Sequence, residues 1–151
     1  RTNTDFKGVM EGCADRPETW INPQIFEVFG SLNRMGLAHS LEVWRDGRLI
    51  GGTYGLALGR AFFAESMFSR ERDASKIALA WLVHRLRAGG FVLCDTQFLT
   101  PHLASLGGQE ILASEYMQRL AVALQGEAVF EPPGYQPSCG IVASSGASGS
   151  G

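Results

Sequence analysis

Phe63-Ala64-Glu65-Ser66-Met67-Phe68-Ser69, followed by a helix-like segment and then by Cys94-Asp95-Thr96-Gln97, puts three polar groups where an apolar core is expected. The runs Ala61 to Met67 and Phe91 to Leu93 read as short buried strands, yet the first carries Glu65 and the second leads into Asp95 and Gln97. Burying an unpaired carboxylate costs several kcal/mol, so such residues are either satisfied by partners or used chemically.

Upstream of this stretch the periodicity is that of strands. Leu41 and Val43 alternate with polar neighbours from His39 onward, Asp46-Gly47 is a hairpin signal, and Leu49 to Leu56 returns as the partner strand. Leu58-Gly59 then turns into the third strand, Arg60 to Met67. Gly51, Gly52 and Gly55 inside a strand pattern indicate a close backbone approach or a bulge.

Helices flank the strands. Phe6, Val9, Met10 and Cys13 fall at helical spacing behind Thr4-Asp5, with an end expected near Gly12. Asn22 caps a second helix, with Pro23 at its first position, Phe26, Phe29 and Leu32 on its apolar face and Gly36 as its stop. After the polar connector Ser69-Arg70-Glu71-Arg72, Asp73 or Ser75 opens a helix to about Arg87, with Ile77, Ala80, Trp81 and Leu86 inward and Gly89-Gly90 closing it. A strand from Phe91 to Gln97, a turn at Thr100-Pro101-His102, a short helix near Leu103 to Leu106 and a last helix from Ser114 through Leu124 complete the pattern.

The 151 residues, 45% hydrophobic and 19% charged, suffice for one domain with a substantial core. That domain is expected over residues 1–132, with a loose Pro/Gly/Ser-rich tail over residues 133–151. A net charge of −2 gives no global pull toward polyanions, so a nucleic-acid partner has to be held by a local patch or another domain. Cys13, Cys94 and Cys139 are odd in number and lack C-x-x-C spacing, which suits a reducing, cytoplasmic setting. No apolar run is long enough for a membrane span, and His39, His84 and His102 share no metal-ligand spacing, so neither a membrane nor a metal is expected.

Three meander strands, a helix and a further strand make an α/β (α+β) mixed sheet flanked by helices, in an order that resembles the N-acetyltransferase superfamily. Such enzymes carry a glycine-containing phosphate loop where the third strand feeds the long helix. Here that connector, Ser69 to Ser75, has no glycine and carries Glu71 and Asp73, which disfavours an acyl-CoA-dependent N-acyltransferase. A nucleophile elbow is absent, and Cys94 points away from Asp95 on an alternating strand, so covalent catalysis has no candidate. Asp95 and Gln97, two apart on the expected strand, aim at one site, with Glu65 opposite. A buried hydrogen-bond network that fixes strand register is the competing reading of the same three residues.

The segments Glu11-Gly12-Cys13-Ala14, Thr19-Trp20-Ile21, His39 to Trp44, Gly51-Gly52-Thr53-Tyr54-Gly55, Glu65 to Ser69, Ala74-Ser75-Lys76, Asp95-Thr96-Gln97 and His102 to Gly107 stand in one order. In that order the chain closely resembles the bacterial leucyl/phenylalanyl-tRNA–protein transferase family. The resemblance implies transfer of leucine or phenylalanine from Leu-tRNA or Phe-tRNA to the N-terminal Arg or Lys of an acceptor protein, marking it for degradation. It implies no cofactor, and family members usually carry a further N-terminal domain that helps hold the tRNA. It assigns amide formation to Asp95 and Gln97, an acidic group near the acceptor to Glu65 and stacking on the terminal adenosine to Trp20. Phe62, Met67 and Leu79 match positions that receive the transferred side chain, and Thr53 and Cys94 stand where larger apolar residues are usual. Phe62 breaks the alternation set by Glu65 and Met67, so a β-bulge is required for all three to face one cavity. A fragment that only binds an aminoacyl end or a peptide terminus is the non-enzymatic alternative.

Overall fold

The computed structural model describes residues 1–136. The tail expected from residue 133 lies almost wholly outside the described residues. The elements run α1 (Phe6–Ala14), α2 (Pro23–Arg34), β1 (Ala38–Arg45), β2 (Arg48–Leu58), β3 (Ala61–Ser69), α3 (Ala74–Ala88), β4 (Leu93–Asp95), α4 (Pro101–Ser105) and α5 (Ala113–Leu124). The sheet is mixed, in the order β1-β2-β3-β4. β1, β2 and β3 pair antiparallel, and β4 lies parallel to β3 after the α3 crossover. The expected mixed sheet flanked by helices is therefore the observed one.

Local signals placed most of the helices. Asp5 accepts a hydrogen bond from the Gly8 amide and Asn22 one from the Ile25 amide, satisfying amides that the first helical turn leaves open. Thr100 caps α4 in the same way, through the Leu103 amide, so Pro101 and His102 are already helical rather than part of the expected turn. Asp46 and Gly47 both adopt positive φ, 49° and 75°, as a tight hairpin between twisted strands requires.

The sheet is covered on both faces. On one side α1 and α2 pack Phe6, Val9, Met10, Cys13 and Ile21 around Tyr54 and Phe68. On the other, α3 lays Ala78, Leu79, Leu82 and Leu86 on Leu41, Phe62 and Ala64, with Phe91 and Phe130 beside them. Each large apolar side chain fully withdrawn from water in these layers contributes roughly 1.5–3 kcal/mol. β2, central and buried from Leu49 to Gly55, carries its glycines because helices and strands crowd it. A Cβ on Gly51 would meet the Ala74 methyl at 2.6 Å, and one on Gly55 would meet the Phe62 ring at 2.6 Å. The close approach read from the sequence is thus the reason for them.

Several expectations need correction. α1 does not end near Gly12 but continues to Ala14, because Gly12 is a packing residue whose missing Cβ makes room for the Phe68 ring. α3 is rolled relative to the expected face: Ile77 is 43% exposed and Ala80 is also exposed, whereas Ala74 and Ala78 face the sheet. The small residues at i and i+4 face the sheet, and Ala74 sits directly against Gly51 of β2. Asp73 occupies the cap position of α3 in a left-handed conformation without capping it, and its carboxylate pairs with Lys76 instead. The strand expected from Phe91 to Gln97 shrinks to Leu93–Asp95, for reasons that define the site.

Candidate active site at the end of strand β4

β3 contains one residue more than its partner. Tyr54 pairs with Ser66 and Gly55 with Ala64, which leaves Glu65 as the unpaired residue of a β-bulge. The bulge shifts the alternation, so Phe62, Ala64 and Met67 all pack on the α3 side while Phe68 packs on the other. A β-bulge expected in β3 is thus present, and it brings Phe62 and Met67 to one side. On its other edge β3 pairs with β4 only as far as Phe63 opposite Asp95. A bulged strand twists away from its neighbour, and the ladder stops one residue pair short of Glu65.

Where the ladder stops, side chains take over from backbone. Asp95 Oδ1 accepts the backbone N–H of Gln97 at 2.7 Å, and Gln97 turns into the left-handed region with φ 65°. Gln97 Nε2 donates to Glu65 Oε2 at 3.2 Å, spanning the gap between the strand ends. The Tyr116 hydroxyl of α5 donates to Asp95 Oδ2 at 2.6 Å. A carboxylate can only accept, so the Glu65 contact fixes which way round the Gln97 amide sits. Its carbonyl oxygen takes no hydrogen bond from the described residues.

Asp95 and Gln97 therefore meet, but not by sharing a strand face: the strand has ended, and a side-chain turn joins them. Nor are the three polar groups buried. Glu65 and Asp95 are half-buried and Gln97 is exposed. Asp95 and Gln97 line a cleft of about 750 Å3 between the 95–99 segment, the 107–113 loop and α5, whose walls also include Cys94 and Tyr116; Glu65 reaches it only through its contact with Gln97. A smaller cavity, about 240 Å3, lies across the sheet against β1, lined by Leu41, Trp44 and Trp81 among others.

The residues matched to side-chain recognition belong to the α3 layer, and of them Cys94 alone also lines the cleft. Phe62 and Leu79 are core residues of the α3 layer, Met67 and Cys94 pack against it, and Phe62 lies beside Cys94 in the parallel register. Thr53 is directly opposite Met67 and Leu41, on the same face, with its hydroxyl donating to the Ser66 carbonyl at 2.9 Å. Phe62 and Thr53 are almost wholly enclosed, so this apolar set is packed shut. Trp20 is not part of that layer: it lies in the connection between α1 and α2 and is 52% exposed. Burial, and then the neighbouring Asp95 charge, push the Cys94 thiol up to about 11. That keeps it protonated and a poor nucleophile near neutral pH.

Two residues escaped the sequence reading. Glu42 was taken as a polar neighbour in the alternation of β1, yet it is only 2% exposed. Its Oε1 accepts from the Thr4 and Asp5 amides and the Ser40 hydroxyl, and its Oε2 from the Trp44 indole, all within 2.9 Å. Its pairing with Ser40 two residues away on one strand face was the available signal, since a face covered by α1 has to satisfy both. Tyr116 offered none, because its contact with Asp95 spans a loop whose path the sequence does not encode locally. Among the described residues no group of His, Cys, Asp and Glu could hold a metal ion, and no helix is long and apolar enough to cross a membrane.

Fold and site together define a one-domain mixed α/β protein with an acid–amide cluster at the carboxyl end of its parallel strand. Residues 1–121 match the family described as leucyl/phenylalanyl-tRNA protein transferase, and the chain belongs to that family. It is 64% identical over 131 residues to the leucyl/phenylalanyl-tRNA–protein transferase of Ruegeria sp. (strain TM1040), covering 87% of this chain and 62% of that protein. To the same-named protein of Herpetosiphon aurantiacus it is 53% identical over 130 residues, covering 86% of this chain and 68% of the relative. The chain thus spans a little over three-fifths of the length of the Ruegeria relative. A faint likeness in shape links it to AAC(6')-Iy, solved in complex with the bisubstrate analogue CoA-S-monomethyl-acetylneamine, at a TM-score of 0.46 and 16% identity over 88% of this chain and 89% of that one.

Proposed function

We propose that this chain carries the catalytic site of an aminoacyltransferase that moves leucine or phenylalanine from aminoacyl-tRNA to the N-terminal Arg or Lys of an acceptor protein, marking that protein for degradation. Family membership supports the reaction class. The observation that carries the site assignment is the Gln97 amide, clamped through its nitrogen by Glu65 and left with an open carbonyl oxygen at the edge of a cleft.

In this reading the acceptor's neutral α-amine attacks the ester carbonyl carbon. A carbon–nitrogen bond forms, the ester carbon–oxygen bond breaks, and the ribose oxygen leaves with its electron pair and takes up the proton the amine loses. An α-amine has a pKa of about 8, so reaching the neutral nucleophile near pH 7 costs only on the order of 1 kcal/mol and no strong base is required. The ester is already activated, and holding amine and carbonyl in attack geometry can supply roughly 7–11 kcal/mol. Gln97 Oε1 accepts a hydrogen bond from the amine and orients its lone pair. Asp95 stabilises the positive charge that builds on nitrogen. Glu65 holds the amide and lends negative charge near the acceptor's basic residue.

The transferred side chain enters the apolar set of Phe62, Met67 and Leu79, bounded by Thr53 and Cys94, once that packed layer opens to admit it. Trp20 stacks on the terminal adenosine. Pocket filling separates leucine from smaller residues by only about 1–3 kcal/mol per methylene, so the choice of amino acid is loose. The test is direct: Phe-tRNA and an Arg-starting peptide are mixed with the protein, and the peptide is weighed by mass spectrometry. A gain of one phenylalanine residue, lost in Gln97→Ala, is expected; no gain with wild-type protein sinks the reading. Calorimetry with coenzyme A, expected to give no binding, separates it from acyl-CoA chemistry.

A further inference from the structure

We propose that Tyr116 is a positioning residue for the transfer reaction: its hydroxyl locks the Asp95 carboxylate so that the other carboxylate oxygen can hold Gln97 in its left-handed turn. The proposal rests on the functional reading above and adds to it a residue on a different element.

Asp95 is the last residue of β4, so no backbone ladder beyond it restrains the chain. Gln97 adopts φ 65°, a region disfavoured for any residue with a Cβ, and the N–H bond to Asp95 Oδ1 is what compensates there. That bond persists only while the carboxylate keeps one rotamer. A carboxylate at the rim of an open cleft is otherwise free to turn toward water. The 2.6 Å bond from Tyr116 to Oδ2 removes that freedom, and it comes from outside the 95–97 turn. The strut is itself anchored: α5 is tied to the β2–β3 turn by the Arg60 amide, which donates to the Ala123 carbonyl at 2.8 Å. The start of α5 has no side-chain cap, with Leu112 at the cap position, so Tyr116 is the polar tether at that end. Hydrogen bonding to Asp95 raises the Tyr116 pKa to about 12, so the phenol remains a donor throughout the physiological range.

The chain of contacts runs from α5 through Asp95 and the Gln97 backbone to the Gln97 amide and Glu65. A phenylalanine at position 116 fills the same space without the hydroxyl, so ring packing and positioning are separable. In Tyr116→Phe, kcat for transfer of phenylalanine to an Arg-starting peptide should fall about tenfold, while KM for peptide and for Phe-tRNA stays within about twofold. In an Asp95→Ala background the same substitution should cause no further loss. Without any substrate, backbone hydrogen exchange at Gln97 should accelerate by about tenfold or more in Tyr116→Phe, with the melting temperature unchanged. Unaltered Gln97 exchange, or an equal fall in kcat with and without Asp95, overturns the positioning role. Failure of wild-type protein to form product sinks the functional reading instead, and the exchange experiment still decides between a fixed and a free Asp95.

Discussion

Glu42 and Asp95 are both carboxylates at the ends of hydrogen-bond networks, and they do opposite things. Glu42 is only 2% exposed, with four donors of the protein converging on its two oxygens. Asp95 sits at a half-open edge with one donor on each oxygen, beside an amide whose carbonyl is unclaimed. The first ties the approach to α1 onto β1; the second shapes a turn at the mouth of a cleft. Burial with full satisfaction is what architecture requires, whereas partial satisfaction at an edge leaves groups that can meet a substrate.

The largest expected effect tests the architectural half of that contrast. Glu42→Ala strands the Thr4 and Asp5 amides, the Ser40 hydroxyl and the Trp44 indole, and should lower unfolding free energy by about 3 kcal/mol or more in urea titration. A loss under about 1 kcal/mol would make Glu42 no more structural than Asp95. Asp95→Ala should do the reverse, lowering kcat by about a hundredfold, near 2.7 kcal/mol of barrier, with a stability change under about 1 kcal/mol. Unchanged turnover would remove Asp95 from the mechanism.

Cys94 sharpens the boundary, because it adjoins Asp95 yet faces the packed layer. Its folded pKa of about 11 lies above the ordinary value of 9.0, as does that of Cys13, which burial also pushes up to about 11. Between pH 9 and 11 the unfolded thiols ionise while the folded ones stay protonated, so the unfolded state binds fewer protons and stability falls with rising pH. The fall should be about 1.4 kcal/mol per pH unit per thiol and should shrink in a Cys13→Ala, Cys94→Ala double variant. Iodoacetamide should label Cys94 slowly at pH 8; rapid labelling would mean that the edge extends into the apolar layer. The smallest change in stability concerns strain. Gln97→Gly relieves the left-handed backbone and should raise stability by up to about 1 kcal/mol while abolishing transfer, as expected where local strain serves function.

Much of this was legible because it is locally encoded. Asn22-Pro23 and Asp46-Gly47 write a cap and a turn into adjacent residues, and the glycines of β2 announced a close backbone approach or a bulge, whereas Thr100-Pro101, read as a turn, opens α4. Even the bulge followed from demanding that Phe62 and Met67 face one way. What escaped depended on distant partners. The roll of α3 is set by the shape of β2 rather than by its own apolar residues, so Ile77 misled. The end of β4 is set by a bulge in another strand, so period-two reasoning carried Asp95 and Gln97 onto a face they do not share. Glu42 was hidden because an alternating strand says nothing about whether its polar side will be covered by a helix.

The single unpaired residue at Glu65 has a further consequence. Because it offsets the parity of everything after it in β3, the architecture there depends on chain length more than on chemistry. Removing one residue between Ala64 and Met67 would throw Met67 to the opposite layer and close the gap at which β4 terminates, even with every other side chain intact. Replacing wall residues such as Thr53 leaves that count untouched. Point changes therefore leave the layout of this strand in place, while a one-residue insertion or deletion resets which layer each of its later side chains faces.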